Sequence, residues 1–330
     1  MVISSLFWVS MTLAPMLPAG DTTILGTGAH RYRWLSGWLR TPRGEDLGNT
    51  HGSIVSDARG RIFLNTDSAQ AIQVYSPDGE FLSSFGADLA GGVHGMCIVK
   101  ETDGEFLYLV HHAQGKWRKM TLDGAVVFEH GFPQASGKYE RADQFHPTSI
   151  AVVPDGDIFV ADGYGLSWVH QYDRKANYVR SFGGPGDGRE QMACPHGLLI
   201  DRRSAKPTLL VADREHHRIQ RFDLSGNLLG IIEGHFRRPC SMQERDGFLA
   251  VPDLAGRVTI LGPKDELVTQ LGDNPDESLR ANNGVPRDKW QDGIFLAPHS
   301  AHWDARGDLY VMDWNAIGRI NKLARVREGK

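Results

Sequence analysis

Short apolar runs of four to six residues, set between polar turns, recur along nearly the whole chain. Each unit reads as a small or His-Gly turn, an apolar strand, a polar Asp-Gly or Arg-Gly turn, a second strand ending near Asp, and a third strand. The first copy runs from His51 to Gly86 and the second starts at Val93. The third starts at Pro147, the fourth at Pro195, the fifth at Pro239 and the sixth at Pro298. The PDG, DG, RG and SG dipeptides between the runs are hairpin turn chemistry. One such unit cannot bury both of its faces, whereas six arranged around an axis can. The pattern therefore predicts an all-β chain, a six-bladed β-propeller over residues 30–330 preceded by a tail over 1–29. The sixth copy runs short of strands after Leu323, and the β-rich segment His30–Trp38 has no other use. It is expected to complete the last blade, close the ring and protect the sheet edges. The polar stretch Asn274–Phe295 reads as a loop over one rim.

Composition narrows the function classes. A net charge of −4 offers no basic footprint, so nucleic acid and anionic membrane surfaces are not expected partners. Cys97, Cys194 and Cys240 cannot all pair, which argues against a disulfide framework. Val2–Ala19 is apolar and has the length of a signal-peptide core. It lacks a basic residue before the run, and Leu17 stands where cleavage wants a small residue. Pro15 and Pro18 argue against a membrane-spanning helix there, and no other stretch is long and apolar enough to span. Localisation stays open between an exported and a cytoplasmic chain.

Aligning the copies on their first strand gives a ring of channel positions: His51, His94, Thr148, His196, Cys240 and His299. His94, His196 and His299 are 102 and 103 residues apart, two blades each time. Alternate blades of a six-fold ring put three imidazoles at the corners of a triangle. That is a facial three-nitrogen site with open positions, suited to zinc or another divalent metal. A lone His at such a position more often caps a turn; three at alternate blades favour a metal. His51 breaks the alternation and reads as a fourth ligand, a donor behind the ligands or a polar channel residue. Cys240 either touches the metal or is an inert buried thiol. Asp67, Asp162, Asp213, Asp253 and Asp313 recur after the second strand and read as turn-tying carboxylates. His111, His112, His216 and His217 read as solvated loop residues, and Trp303 and Trp314 as inter-blade packing.

The repeats resemble the NHL type, most closely in VADGYG..WVHQYD and VADREHHRIQRFD. From about Gly91 to Leu323 the chain also resembles the lyase domain of the peptide-amidating enzymes. The matching stretches are VHG, PTSIAV..DIFVADGYG, PHGLLID..LLVADREHHRIQRF and PHSAHWDARGDLYV. The resemblance implies zinc on His94, His196 and His299, a proton-handling Tyr164, and Arg214 holding charge near the metal. It also implies a second arginine before the first copy, for which Arg43 in TPRGEDLGN is the candidate. Both roles are chemically sound. A phenol beside a dication and a guanidinium is pushed toward phenolate, and a guanidinium grips a carboxylate bidentately. Taken singly, each side chain equally suits a loop-closing hydrogen bond.

Departures from the family pattern matter too. Ser300 stands where the family places a calcium-binding aspartate, so calcium is in doubt, and Ala297 replaces a methionine of the pocket wall. The family's disulfide positions hold residues such as Phe145, Gly165, Leu210 and Arg221. The implied activity is metal-dependent cleavage of the C–N bond of an N-acyl carbinolamide or related α-hydroxy-acid adduct, on a small-molecule or peptide-derived substrate, by a monomer. Two alternatives are a gluconolactonase-like metal hydrolase and a non-catalytic propeller that binds a protein or glycan.

Overall fold

The computed structural model describes residues 23–327. It is a six-bladed β-propeller: five four-stranded antiparallel sheets and one of five strands, with no α-helix among the described residues. The innermost strands are Ile54–Ser56, Val93–Glu101, Ser149–Val152, Pro195–Asp201, Gln243–Arg245 and Pro298–Trp303, one per blade. The exposed large apolar residues Leu82, Val126, Val179, Leu229 and Leu267 all lie on outermost strands.

Alternation along each second strand explains why the blades stack. In blade one, Ile62 and Leu64 pack toward blade six with Tyr310 and Met312, while Phe63 packs toward blade two with Leu107 and Leu109. In blade four, Leu209 and Val211 join Phe159 of blade three, while Leu210 and Ala212 join Leu249 and Val251 of blade five. Successive residues of a strand point to opposite faces. Here both faces are buried, so the core is divided into slabs between neighbouring blades rather than gathered at one centre.

Segments near both ends of the described residues build blade six. Tyr32–Leu35 pairs antiparallel with Arg319–Arg325, Tyr32 opposite Arg325 and Leu35 opposite Lys322. Ile24–Leu25 pairs outside it as a fifth strand, so the described propeller starts before residue 30. A two-residue strand is too short to register as a periodic run. The signal-like run Val2–Ala19 lies outside the described residues. No helix among them is long and apolar enough to cross a membrane. The loop over 274–295 holds only two short 3-10 turns, and Asn315 Nδ2 and Ala316 N–H pin it to blade six through Val285 and Asn283 carbonyls.

The repeated aspartates do more than tie their own turns. Asp162 Oδ1 accepts the His146 N–H, Asp213 Oδ1 that of Ala193, Asp253 Oδ1 those of Arg237 and Arg238, and Asp313 Oδ1 those of Leu296 and Ala297. All four carboxylates are fully buried. Each one fixes the segment that enters the innermost strand two or three residues before its channel residue. In blade one the matching position is Thr66, not Asp67, because Asn65 pairs where Ala161 and Ala212 do in their own blades. Asp67 sits one residue further on, bonded to Asn49. Asp313→Ala strands two backbone N–H groups and the buried Arg319, so it should cost about 3 kcal/mol or more of unfolding free energy in denaturant titrations.

Candidate metal centre

The innermost strands enter at the channel, and pairing register fixes which residue of each faces it. Ser149 opposes Ala161 and Ile54 opposes Leu64, which makes Gly52 the equivalent of Thr148. The ring is therefore Gly52, His94, Thr148, His196, Cys240 and His299: histidine in even blades, a small residue in odd ones. His51 lies one position upstream of the ring. The duplicated His-Gly pair at 51–52 and 94–95 draws a sequence alignment into that one-residue slip.

The odd blades orient the histidines of the even ones. His94 Nδ1 lies 2.6 Å from the Thr148 carbonyl oxygen, His196 Nδ1 2.9 Å from that of Cys240, and His299 Nδ1 2.8 Å from that of Gly52. A carbonyl oxygen only accepts, so each Nδ1 carries the proton and each Nε2 presents a lone pair. The glycines after His94 and His196 follow from the same contact. A Cβ on Gly95 would stand 2.6 Å from the Thr148 oxygen, and one on Gly197 2.4 Å from the Cys240 oxygen. In blade six Ser300 takes that place, its Oγ accepting the Ile54 N–H at 3.2 Å. That hydroxyl is engaged with backbone, in a position where the resemblance called for a carboxylate.

The three rings form a near-equilateral triangle, with centroids 4.7, 4.7 and 4.8 Å apart. All three are buried. Candidate ligand atoms within 4.8 Å of one another fall into two overlapping sets, His51–His94–His299 and His196–Cys240–His299, which share His299. The His94–His196–His299 trio is the symmetric set by ring position, and a backbone carbonyl fixes each member in the same way. His51 packs its ring against His94 and His299 at 4.8 and 5.0 Å.

Tyr164 reaches this cluster from the loop after Asp162. Its Oη stands 3.1 Å from His94 Nε2, 3.1 Å from His196 Nε2 and 3.2 Å from His51 Nε2. Both glycines flanking it are sterically required. A Cβ on Gly163 would meet the Pro195 oxygen at 2.5 Å, and one on Gly165 the Asp162 carboxylate at 2.2 Å. Arg214 Nη1 donates to the same Oη at 3.5 Å, and its guanidinium carbon lies 5.5 Å from the ring centroid. Arg214 stands in a short 3-10 turn directly after Asp213 and pairs with Glu215 at 2.8 Å.

The donor count shows what this cluster fits. Tyr164 has one hydroxyl hydrogen, yet it faces the lone pairs of both His94 and His196. His299 Nε2 is buried and has no hydrogen-bond partner at all. Each unmet buried acceptor costs about 1–3 kcal/mol, and a cation bound by all three removes that cost. Imidazole nitrogens select zinc-like ions over calcium, which wants oxygen donors. The histidines are held neutral, as ligands must be. Burial is the main cause, lowering His299 to about 4 and His51 to about 2, and taking His94 and His196 well below the ordinary imidazole value; nearby positive charge adds to it. Burial also raises the Tyr164 phenol, with Arg214 pulling the other way, so Arg214 alone does not bring it to phenolate. Cys240 is pushed up to about 12 by burial.

Arg43 does not join the cluster. Its side chain is 87% exposed, its φ is +57°, and its ion pair, at 3.8 Å, is with Glu45. Two residues that the repeat pattern had left as structural do stand at the site. The His112 ring lies 5.9, 6.0 and 5.7 Å from those of His51, His94 and Tyr164, and Trp314 lies 5.6 Å from His51. Both follow the second strand of an even blade, the place Arg214 holds in blade four, and that shared offset is the signal that could have found them.

Comparison with known proteins bears on this geometry. A Caenorhabditis elegans protein named probable peptidyl-alpha-hydroxyglycine alpha-amidating lyase is 30% identical over 180 residues, covering 52% of this chain and 47% of the relative. The Drosophila melanogaster peptidyl-alpha-hydroxyglycine alpha-amidating lyase 1 is 28% identical over 252 residues, 70% of this chain and 44% of the relative. The chain resembles the peptidyl-α-hydroxyglycine α-amidating lyases. It spans about half the length of these curated relatives. No protein-family model matches it. A streptogramin B lyase structure superposes with a TM-score of 0.59 over 87% of this chain and 95% of the other, at 15% identity, a likeness of fold alone. The chain is thus a lyase-like propeller whose His/Cys cluster can hold a metal.

Proposed function

We propose that the protein is a metal-dependent carbon–nitrogen lyase acting on an N-acyl carbinolamide that carries an α-carboxylate, the α-hydroxyglycine type. The observation that carries this reading is the convergence of Tyr164 Oη on the Nε2 atoms of His94 and His196, with Arg214 on the same oxygen. His94, His196 and His299 would hold the metal, with zinc favoured by the all-imidazole donor set. When bound, a divalent ion there supplies positive charge that acidifies both the substrate hydroxyl and the Tyr164 phenol.

Tyr164 then takes the hydroxyl proton. The C–O bond becomes a carbonyl, the C–N bond breaks, and its electron pair leaves on the amide nitrogen, which takes the proton back from Tyr164. The products are a primary amide and glyoxylate. Arg214, a fixed cation beside Tyr164, faces the substrate carboxylate and holds it against solvent. The slabs of apolar core between blades keep the three ligands at fixed spacing, so little reorganisation accompanies the reaction. A calcium-dependent lactone hydrolase draws no support from the ring, whose side chains are three imidazoles, a thiol, a hydroxyl and a glycine. The chain works as a monomer on a small or peptide-derived substrate.

Purified protein should contain one zinc per chain and convert N-benzoyl-α-hydroxyglycine to benzamide and glyoxylate, with activity lost on chelation and restored by zinc. Protein full of zinc that releases no glyoxylate would sink the lyase reading and leave a metal-binding propeller.

A further inference from the structure

Arg214 does not stand alone. Glu215 Oε1 accepts from Arg214 Nε at 2.8 Å and from Arg238 Nη2 at 2.6 Å, so one carboxylate holds two guanidiniums together. Two positive charges against one negative leave a net positive pair. Arg238 lies two residues before the ring residue Cys240, on the rim of blade five, next around the channel from Arg214 in blade four.

The two guanidiniums also have unused donors. Arg238 Nε is buried with no hydrogen-bond partner, although the side chain as a whole is 33% exposed at the rim. Its neighbour Arg237 differs: both of its terminal nitrogens are spent on Asp273, at 2.7 and 3.0 Å. A buried guanidinium N–H without an acceptor costs free energy that an incoming anion recovers.

We propose that Arg238 is a second anchor for the substrate carboxylate, paired with Arg214 through Glu215, whereas Arg43 lies exposed away from the cluster. The inference rests on the lyase reading for its substrate but not for its anion. Glu215 spaces the guanidiniums and keeps them from repelling each other. A carboxylate entering the mouth then meets Arg214 beside Tyr164 and Arg238 toward the rim, which orients the adjoining hydroxyl-bearing carbon toward the histidines. Carbinolamides without the carboxylate gain nothing from Arg238, so the pair sets specificity.

The test compares N-benzoyl-α-hydroxyglycine with N-(hydroxymethyl)benzamide, which undergoes the same C–N cleavage but lacks the carboxylate and releases formaldehyde. In Arg238→Gln the ratio of kcat/KM between the two should fall roughly 10- to 100-fold, through KM of the first. Arg238→Lys, which keeps the charge and loses the fork, should fall between. Binding of hippurate against benzamide to the zinc-loaded protein, followed by calorimetry, gives a readout independent of turnover and should weaken by a similar factor in Arg238→Gln alone of the two ligands. An unchanged ratio, or hippurate binding that is indifferent to Arg238, overturns the proposal. If the parent protein cleaves neither carbinolamide yet prefers hippurate in an Arg238-dependent way, the lyase reading fails and the anion anchor stands. Loss of the hippurate preference in Arg43→Gln instead would return the role to Arg43.

Discussion

Tyr164→Phe should lower kcat for glyoxylate release by about 1,000-fold, the usual worth of a positioned acid–base group, while the zinc content stays at that of the parent protein. Phenylalanine keeps the ring between Gly163 and Gly165 and removes only the oxygen that lies 3.1 Å from two imidazoles. Without that oxygen the histidines lose a hydrogen-bond donor and none of their backbone anchors, so the ion-binding set is intact. Turnover at the parental rate would show that another group accepts the hydroxyl proton. Stopped turnover together with lost zinc would make Tyr164 a support for the ligands and remove it from the chemistry. Elemental analysis and a glyoxylate assay on the same preparation separate these outcomes.

The second large effect is on the ion itself. A structural zinc site is worth about 10–16 kcal/mol shared over its ligands, so one imidazole of three or four carries ~3–4 kcal/mol, a several-hundred-fold change in affinity. His196→Ala should weaken zinc binding by about that factor in competition with a chelator. The companion change His216→Ala should leave it unmoved, because His216 bonds Asp213 and Asp187 away from the channel. His299→Ala is expected to match His196→Ala in ion affinity, since each ring is held by the same kind of backbone bond. Zinc binding that survives loss of His196 but not of His299 would point to the His51–His94–His299 grouping as the seat of the ion.

The fold was legible in the sequence because each blade repeats one hydrophobic alternation, and the alternation maps directly onto slabs such as Phe63 on one side and Ile62 with Leu64 on the other. The histidine trio was legible for the same reason: spacing by two repeats is spacing by two blades. Blade one was misread by a single residue, since His51-Gly52 copies the look of His94-Gly95 while the ladder Ile54–Leu64 sets the true register. That slip hid the strict alternation of His with small residues, and with it the explanation for Gly52. His112 and Trp314, which stand beside the cluster, were not legible there, nor was the proposed anchor Arg238. They come from loops, where neither period nor turn type marks a side chain as facing the axis. The family resemblance implied an arginine before the first copy, and Arg43 was the candidate, but a left-handed φ in an exposed 3-10 turn points its side chain to solvent.

One bond in the centre has a consequence for the whole molecule. His299 belongs to the blade assembled from the two ends of the chain, and the carbonyl that orients it belongs to Gly52 in the first blade. The ligand set is therefore complete only when the circle has been shut across that joint. An ion seated on the trio acts as a hasp, gripping the second, fourth and sixth blades at once, and any opening at the joint must first let it go.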